Sequence, residues 1–149
     1  MDLSKQKAEA VAKNLKDCVI LSADSIIYID DKKLEKTKTI EEAKKMMKIL
    51  SGRINYAVTG VTIIDLYQNK TLTFSETTNV YFDELDDEEI SWYVENEKYI
   101  LERCGYSIAG KSAIFISKID GDYYNILGMP ISRVYKELKK LGYKISDFK

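Results

Sequence analysis

Two β-branched and aromatic runs, Asn55 to Tyr67 and Thr71 to Phe82, are separated only by Gln68, Asn69 and Lys70. Such residues suit a pleated, half-buried surface, and so short a turn brings the second run back antiparallel to the first. The chain is therefore committed to a sheet built around a hairpin. A third run, "CVILSADSIIYID" from Cys18 to Asp30, reads as another strand with Asp24 near its middle. An unpaired buried charge is expensive, so this carboxylate must be paired, protonated or exposed where the strand ends.

The remaining segments read mainly as helices. Ser4 to Lys16 carries Ala8, Val11, Ala12 and Leu15 at helical spacing. Thr39-Ile40-Glu41-Glu42 has capping-box spacing and opens a helix with Ile40, Ala43, Met47 and Leu50 on one face, which Gly52 stops. Asp86-Asp87-Glu88-Glu89 caps a helix through about Glu95. "AIFISKI" and "YYNIL" are strand-like, and Pro130 suits the first turn of a last helix burying Val134, Leu138 and Leu141. With no repeat, linker or low-complexity stretch, the expected fold is α/β or α+β. It is one domain over residues 1–149, a mixed central sheet flanked by helices.

Composition narrows the chemistry. The net charge of −1 gives no electrostatic footprint for nucleic acid or an anionic membrane. The apolar stretches are too short to span a bilayer and no signal peptide precedes them, so a cytoplasmic protein is expected. Two cysteines make no disulfide framework. The chain has no histidine, which removes Ser–His and Cys–His nucleophile pairs and the usual zinc sites. Acid–base work falls to Asp, Glu, Lys, Tyr or Cys, and a bound cation would be a hard one held by oxygen. Asp24 itself has two readings: a solvated strand-end carboxylate, or a general base or cation ligand at a strand end facing a cleft.

Six ordered segments add a context: "KQKAEAVA", "SADS", "LEK", "LSGRINYAVTGV", "GYSIAG" and "GDYYNILGMP". Together they resemble the Maf family of nucleoside triphosphate pyrophosphatases, the septum-formation-like proteins, over about Ser4 to Leu141. The resemblance implies a fold like that of inosine triphosphate pyrophosphatase and a hydrolase of nucleotide metabolism. Its substrates would be nucleoside triphosphates, above all dTTP, UTP or modified pyrimidine nucleotides, cleaved to monophosphate and pyrophosphate. A divalent cation, Mg²⁺ or Mn²⁺, would serve as cofactor with Asp24 as its ligand. Asp24 stands at the family's general base, and Lys36 and Lys7 at lysines that would neutralise the polyphosphate. Ser25 stands at a position linked to substrate choice. Arg53 belongs to the S-G-R motif and reads as a packing or ion-pair residue rather than a catalytic one, with substrate binding the role the resemblance implies, and Ala109 replaces a glutamine tied to base recognition.

The chain also departs from the family pattern. Its first residues match the helix that follows the family's S-x-R-R phosphate-binding loop. Asn55, Thr37, Leu101 and Glu102 replace other family residues. Two expectations follow. Either the chain is a homodimer or a partner chain completes the sheet, and the alternative to an enzyme is a weak or inactive Maf-like module that binds nucleotide or a partner.

Overall fold

The hairpin forms as its composition requires. In the computed structural model, which describes residues 2–102 and 104–148, β3 (Ile54–Asp65) and β4 (Lys70–Phe82) pair antiparallel from Ile54 opposite Tyr81 to Asp65 opposite Lys70. Asp65 shapes the turn: one carboxylate oxygen accepts from the backbone N–H groups of Tyr67 and Gln68, and the other from the Gln68 amide and the Tyr143 hydroxyl. Asn69 takes φ 53°, a left-handed conformation that asparagine tolerates better than most residues.

Strand β1 (Val19–Ile29) lies on the other side of β3, with Tyr28 opposite Tyr56 and Val19 opposite Asp65. The short β2 (Lys32–Lys33) pairs with the end of β1, and β5 (Ile116–Asp120) with the end of β4. The order is β2-β1-β3-β4-β5, and every described pairing is antiparallel. The sheet is thus not mixed, although the α/β domain with flanking helices is as expected. The reason lies in where the chain re-enters. It leaves the end of β1 at Ile29 and returns beside Tyr28 at the start of β3. The intervening excursion closes on one end of the sheet instead of crossing over to the other.

Successive residues of a strand face opposite sides, so Ile63 and Ile64 serve different cores. On one side α1 (Asp2–Ala12) lays Ala8 against Ile20 and Ile64, and the Ser4 and Thr62 hydroxyls bond across 3.1 Å. The helix is shorter than its sequence pattern suggests: tighter turns to Asn14 and Leu15 end it, and Leu15 is exposed. On the other side α2 (Ile40–Leu50) buries Ala43, Met47 and Leu50 with Val80 and Phe82. Truncating such a Met or Leu to alanine typically costs about 2–5 kcal/mol. Thr39 caps this helix by accepting from the Glu42 N–H, while the Glu42 carboxylate accepts from the Lys38 N–H, one residue before the cap. Helix α3 (Asp87–Asn96) has a complete capping box between Asp86 and Glu89 and adds Ile90, Tyr93 and Val94 to the same core.

Around β5 the chain departs from its apparent β-propensity. "AIFISKI" divides into a 3₁₀ segment, Lys111–Phe115, and β5. "YYNIL" is no strand but the one-turn helix α4 (Tyr123–Ile126). Gly121 at φ 128° breaks the strand, and a Cβ there would meet the backbone of Thr78 at 3.1 Å. The Asp122 carboxylate then accepts from the Tyr124 N–H, a local cap that outweighs the β preference of two tyrosines. Helix α5 (Ile131–Lys140) follows Pro130 and packs Val134 against Val61, Ile63 and Phe74, with Leu138 and Leu141 partly buried beside them. Among the described residues no helix is long and apolar enough to cross a membrane.

Candidate active site

The apolar run around Asp24 is a strand of the sheet that borders a cleft. β2 pairs with β1 only at Tyr28 and Ile29, and the Leu34 N–H then donates to the Ile27 carbonyl at 2.7 Å. The chain next runs back past the outer edge of β1 without forming a ladder. Between edge and returning segment lies a cleft of about 490 Å³, lined by Asp24, Ser25 and Ile26 on one side and by Lys33, Lys36 and Lys38 on the other. Leu3, Leu34, Glu35 and Cys104 complete its wall. That volume is in the range of small-molecule sites.

Asp24 is neither buried alone nor freely solvated. Helix α1, held on the sheet by Ala8 and Ser4, carries Lys7 to it, and the Lys7 ammonium donates to Asp24 Oδ1 at 2.6 Å. The carboxylate side chain keeps 25% of its surface exposed and the lysine 51%. The pair thus sits where the strand is accessible from the cleft. Cations outnumber carboxylates around the space, with Lys7, Lys33, Lys36 and Lys38 against Asp24 and Glu35. The overall charge balance hides this local excess. It suits a polyanion, since fixed ammonium groups offset charge that develops as a phosphate leaves.

Ser25 leaves the opposite side of the strand and is exposed at the cleft. Its Oγ lies 2.8 Å from Thr59 Oγ1, and Thr59 in turn donates to the Asn125 carbonyl at 3.1 Å. Gly128, at φ 107°, comes so close that a Cβ there would stand 3.6 Å from Ser25 Oγ. Cys104 is a free thiol whose burial pushes its pKa up, with the Lys36 ammonium acting in the opposite direction. Among the described residues no group of three carboxylates or thiols gathers that could hold a metal unaided. A lone carboxylate such as Asp24 would suit Mg²⁺ only together with phosphate oxygens and waters, because that ion usually takes one or two carboxylates plus such ligands.

Two expected residues are not at the cleft. Arg53 follows the turn out of α2 and pairs with Asp30, while its guanidinium also donates to the Ile49 carbonyl. Asp30 is six residues from Asp24 along an extended strand, about 20 Å away. Ala109 is exposed but does not line the cleft, because its neighbour Ile108 turns into the core. Asn55 is a buried structural residue: it accepts from the Tyr106 hydroxyl at 2.8 Å and donates to the Val80 carbonyl. Burial pushes the Tyr106 phenol well above its ordinary pKa, so it remains a donor. The other described arginine, Arg133, binds Glu137 and Glu76 on the face of the sheet that also carries Thr59, and does not line the cleft.

Sequence reasoning did not single out Lys33, Lys38, Cys104 or Thr59. A signal for the first two was present, since "DDKKLEKTK" packs four lysines into nine residues next to the Asp24 strand. Nothing local pointed to Cys104 or Thr59, which reach the site through the fold.

Comparison with known proteins identifies the family. A family model described as Maf-like protein matches residues 1–141. The dTTP/UTP pyrophosphatase of Carboxydothermus hydrogenoformans is 43% identical over 143 residues, covering 96% of this chain and 77% of that protein. The dTTP/UTP pyrophosphatase of Bacillus cereus strain G9842 is 42% identical over 146 residues, 98% of this chain and 75% of its own length. A Bacillus anthracis protein of the same name matches to the same extent. With one family model spanning nearly its whole length, the chain belongs to the Maf-like protein family.

Proposed function

We propose that this chain hydrolyses nucleoside triphosphates, dTTP and UTP foremost, to the monophosphate and pyrophosphate, as a cytoplasmic enzyme of nucleotide metabolism. The observation that carries the reading is the Asp24 carboxylate, held by Lys7 at the wall of a lysine-rich cleft. The names of the relatives support the substrate.

In this reading Asp24 accepts a proton from water as its oxygen attacks the α-phosphorus. The bond from that phosphorus to the bridging oxygen breaks, and pyrophosphate leaves with the electron pair. Lys7 keeps the carboxylate in place. Lys36, with Lys33 and Lys38 beside it, offsets the charge accumulating on the leaving group. A positioned base of this kind contributes on the order of 10²–10⁴-fold. Asp24 would hold Mg²⁺ or Mn²⁺ together with the substrate's phosphates, and the ion would supply charge neutralisation when bound.

A second reading is favoured by one observation: among the described residues no arginine lines the cleft. A module that binds nucleotide with little turnover fits that feature. Pyrophosphate release across a panel of nucleoside triphosphates with Mg²⁺, Mn²⁺ and Co²⁺, run beside calorimetric binding, separates the two. Release from dTTP and UTP supports the enzyme, and binding without release supports the module.

A further inference from the structure

We infer that Thr59 and Asn125 are positioning residues that bias the hydrogen-bond polarity of Ser25, so that Ser25 offers the substrate an acceptor in preference to a proton. The inference rests on the nucleoside triphosphate reading. Within that reading it assigns Ser25 to a donor on the nucleoside, an N–H or O–H, and not to the phosphates.

The polarity follows from a count of protons. Each hydroxyl has one proton to give and two lone pairs to receive with. Thr59 Oγ1 has two polar neighbours, Ser25 Oγ at 2.8 Å and the Asn125 carbonyl oxygen at 3.1 Å. The carbonyl can only accept. If Thr59 turns its proton to the carbonyl, Ser25 gives its own proton to Thr59 and both bonds are made. If Thr59 turns its proton to Ser25 instead, a lone pair faces the Asn125 carbonyl, which keeps its bond from the Gly128 N–H at 3.0 Å but loses the one from Thr59. Thr59 is fully buried, so water does not repair the second arrangement. The first arrangement prevails, and the lone pairs of Ser25 are what remain for the cleft.

Asn125 keeps this order in place. Its side chain is fully buried, and its two amide protons are shared among the Ala57 and Glu76 carbonyls and Thr78 Oγ1. Thr78 Oγ1 in turn donates to the Asp122 carbonyl. The one-turn helix α4 is thereby tied to β3 and β4, and its Asn125 carbonyl is carried over Thr59. A triphosphate's oxygens at neutral pH are acceptors, and two acceptors do not bond. The partner of Ser25 is therefore the nucleoside, either the imino N–H of a pyrimidine base or a sugar hydroxyl.

The test compares dTTP with two analogues that each lack one donor, N3-methyl-dTTP and 3′-deoxy-dTTP, using the full chain. In the wild type one analogue should lose roughly tenfold in kcat/KM, the scale of a partner left unpaired. Thr59→Ser keeps the hydroxyl and should keep that loss. Thr59→Val releases the Ser25 proton to turn either way, and the loss should shrink to about threefold or less. Turnover of dTTP with both analogues equally good would overturn the inference and leave the function standing. So would a loss that persists unchanged in Thr59→Val, since that loss is steric. If no triphosphate is turned over, the functional reading fails, and the proton order is still read in the free protein by nuclear magnetic resonance. A Thr59 hydroxyl proton protected from exchange and close to Asn125 upholds the order, and one in fast exchange refutes it.

Discussion

Lys7 and Asp24 lie seventeen positions apart in the chain, and the ammonium of the first stands 2.6 Å from the carboxylate of the second. The contact joins a helix that packs on one face of the sheet to the strand that borders the cleft. Lys7 thus does two things at once: it removes the cost of a carboxylate within an apolar strand, and it holds that carboxylate at the cleft.

Replacing Lys7 by methionine should therefore lower activity far more than stability. An exposed ion pair stabilises a fold by only about 0–1 kcal/mol. A hydrogen bond to a charged group is worth about 1.5–3 kcal/mol where it acts on the reaction, a loss of tenfold or more in kcat/KM. Steady-state pyrophosphate release and a urea melt on one preparation check both halves.

The seat of α1 should matter through the same contact. Ala8 has no exposed surface and touches Ile20 and Ile64. Ala8→Leu overfills that contact and should cost about 1–3 kcal/mol by denaturant titration. It should also reduce turnover, because Lys7 is the adjacent residue on the displaced helix.

Arg53→Gln should leave kcat and KM for dTTP within about twofold. Its guanidinium is engaged with Asp30 at the far end of β1, and the two side chains are 40% and 67% exposed. Stability should fall by no more than about 1 kcal/mol. A large rise in KM would place Arg53 on the substrate.

Cys104 should report occupancy of the cleft. Burial raises its pKa, so at neutral pH the thiol stays protonated and little thiolate is present to react. Alkylation by iodoacetamide should be slow at pH 7 and should rise only above the ordinary thiol value of about 8.5. Nucleotide should slow it further, because Cys104 lines the same cleft as Asp24. Site-resolved mass spectrometry separates it from Cys18.

Much of the fold was legible because its signals are local. The β-branched hairpin, the Thr39 and Asp86 caps and the left-handed Gly52 (φ 66°) each depend on neighbours a few residues away. "YYNIL" misled because Asp122 and Gly121, just outside it, decide its conformation. The cleft residues Asp24, Ser25 and Lys36 come from one strand and the segment that follows, so their proximity was foreseeable from short range. The displacement of Arg53 was not, since the turn out of α2 determines it. Thr59 and Asn125 meet across sixty-six positions, and no local pattern announces such a bond.

The role of Asp24 is tested most directly by comparing wild type with Asp24→Asn for pyrophosphate release from dTTP at saturating Mg²⁺. Asparagine preserves size and can still accept from Lys7, but it takes up no proton from water. With Asp24 as the base, kcat should fall on the order of 10²–10⁴-fold with an unchanged circular dichroism spectrum and melting temperature. A variant that folds normally and keeps most of the wild-type rate would show that Asp24 is not the base.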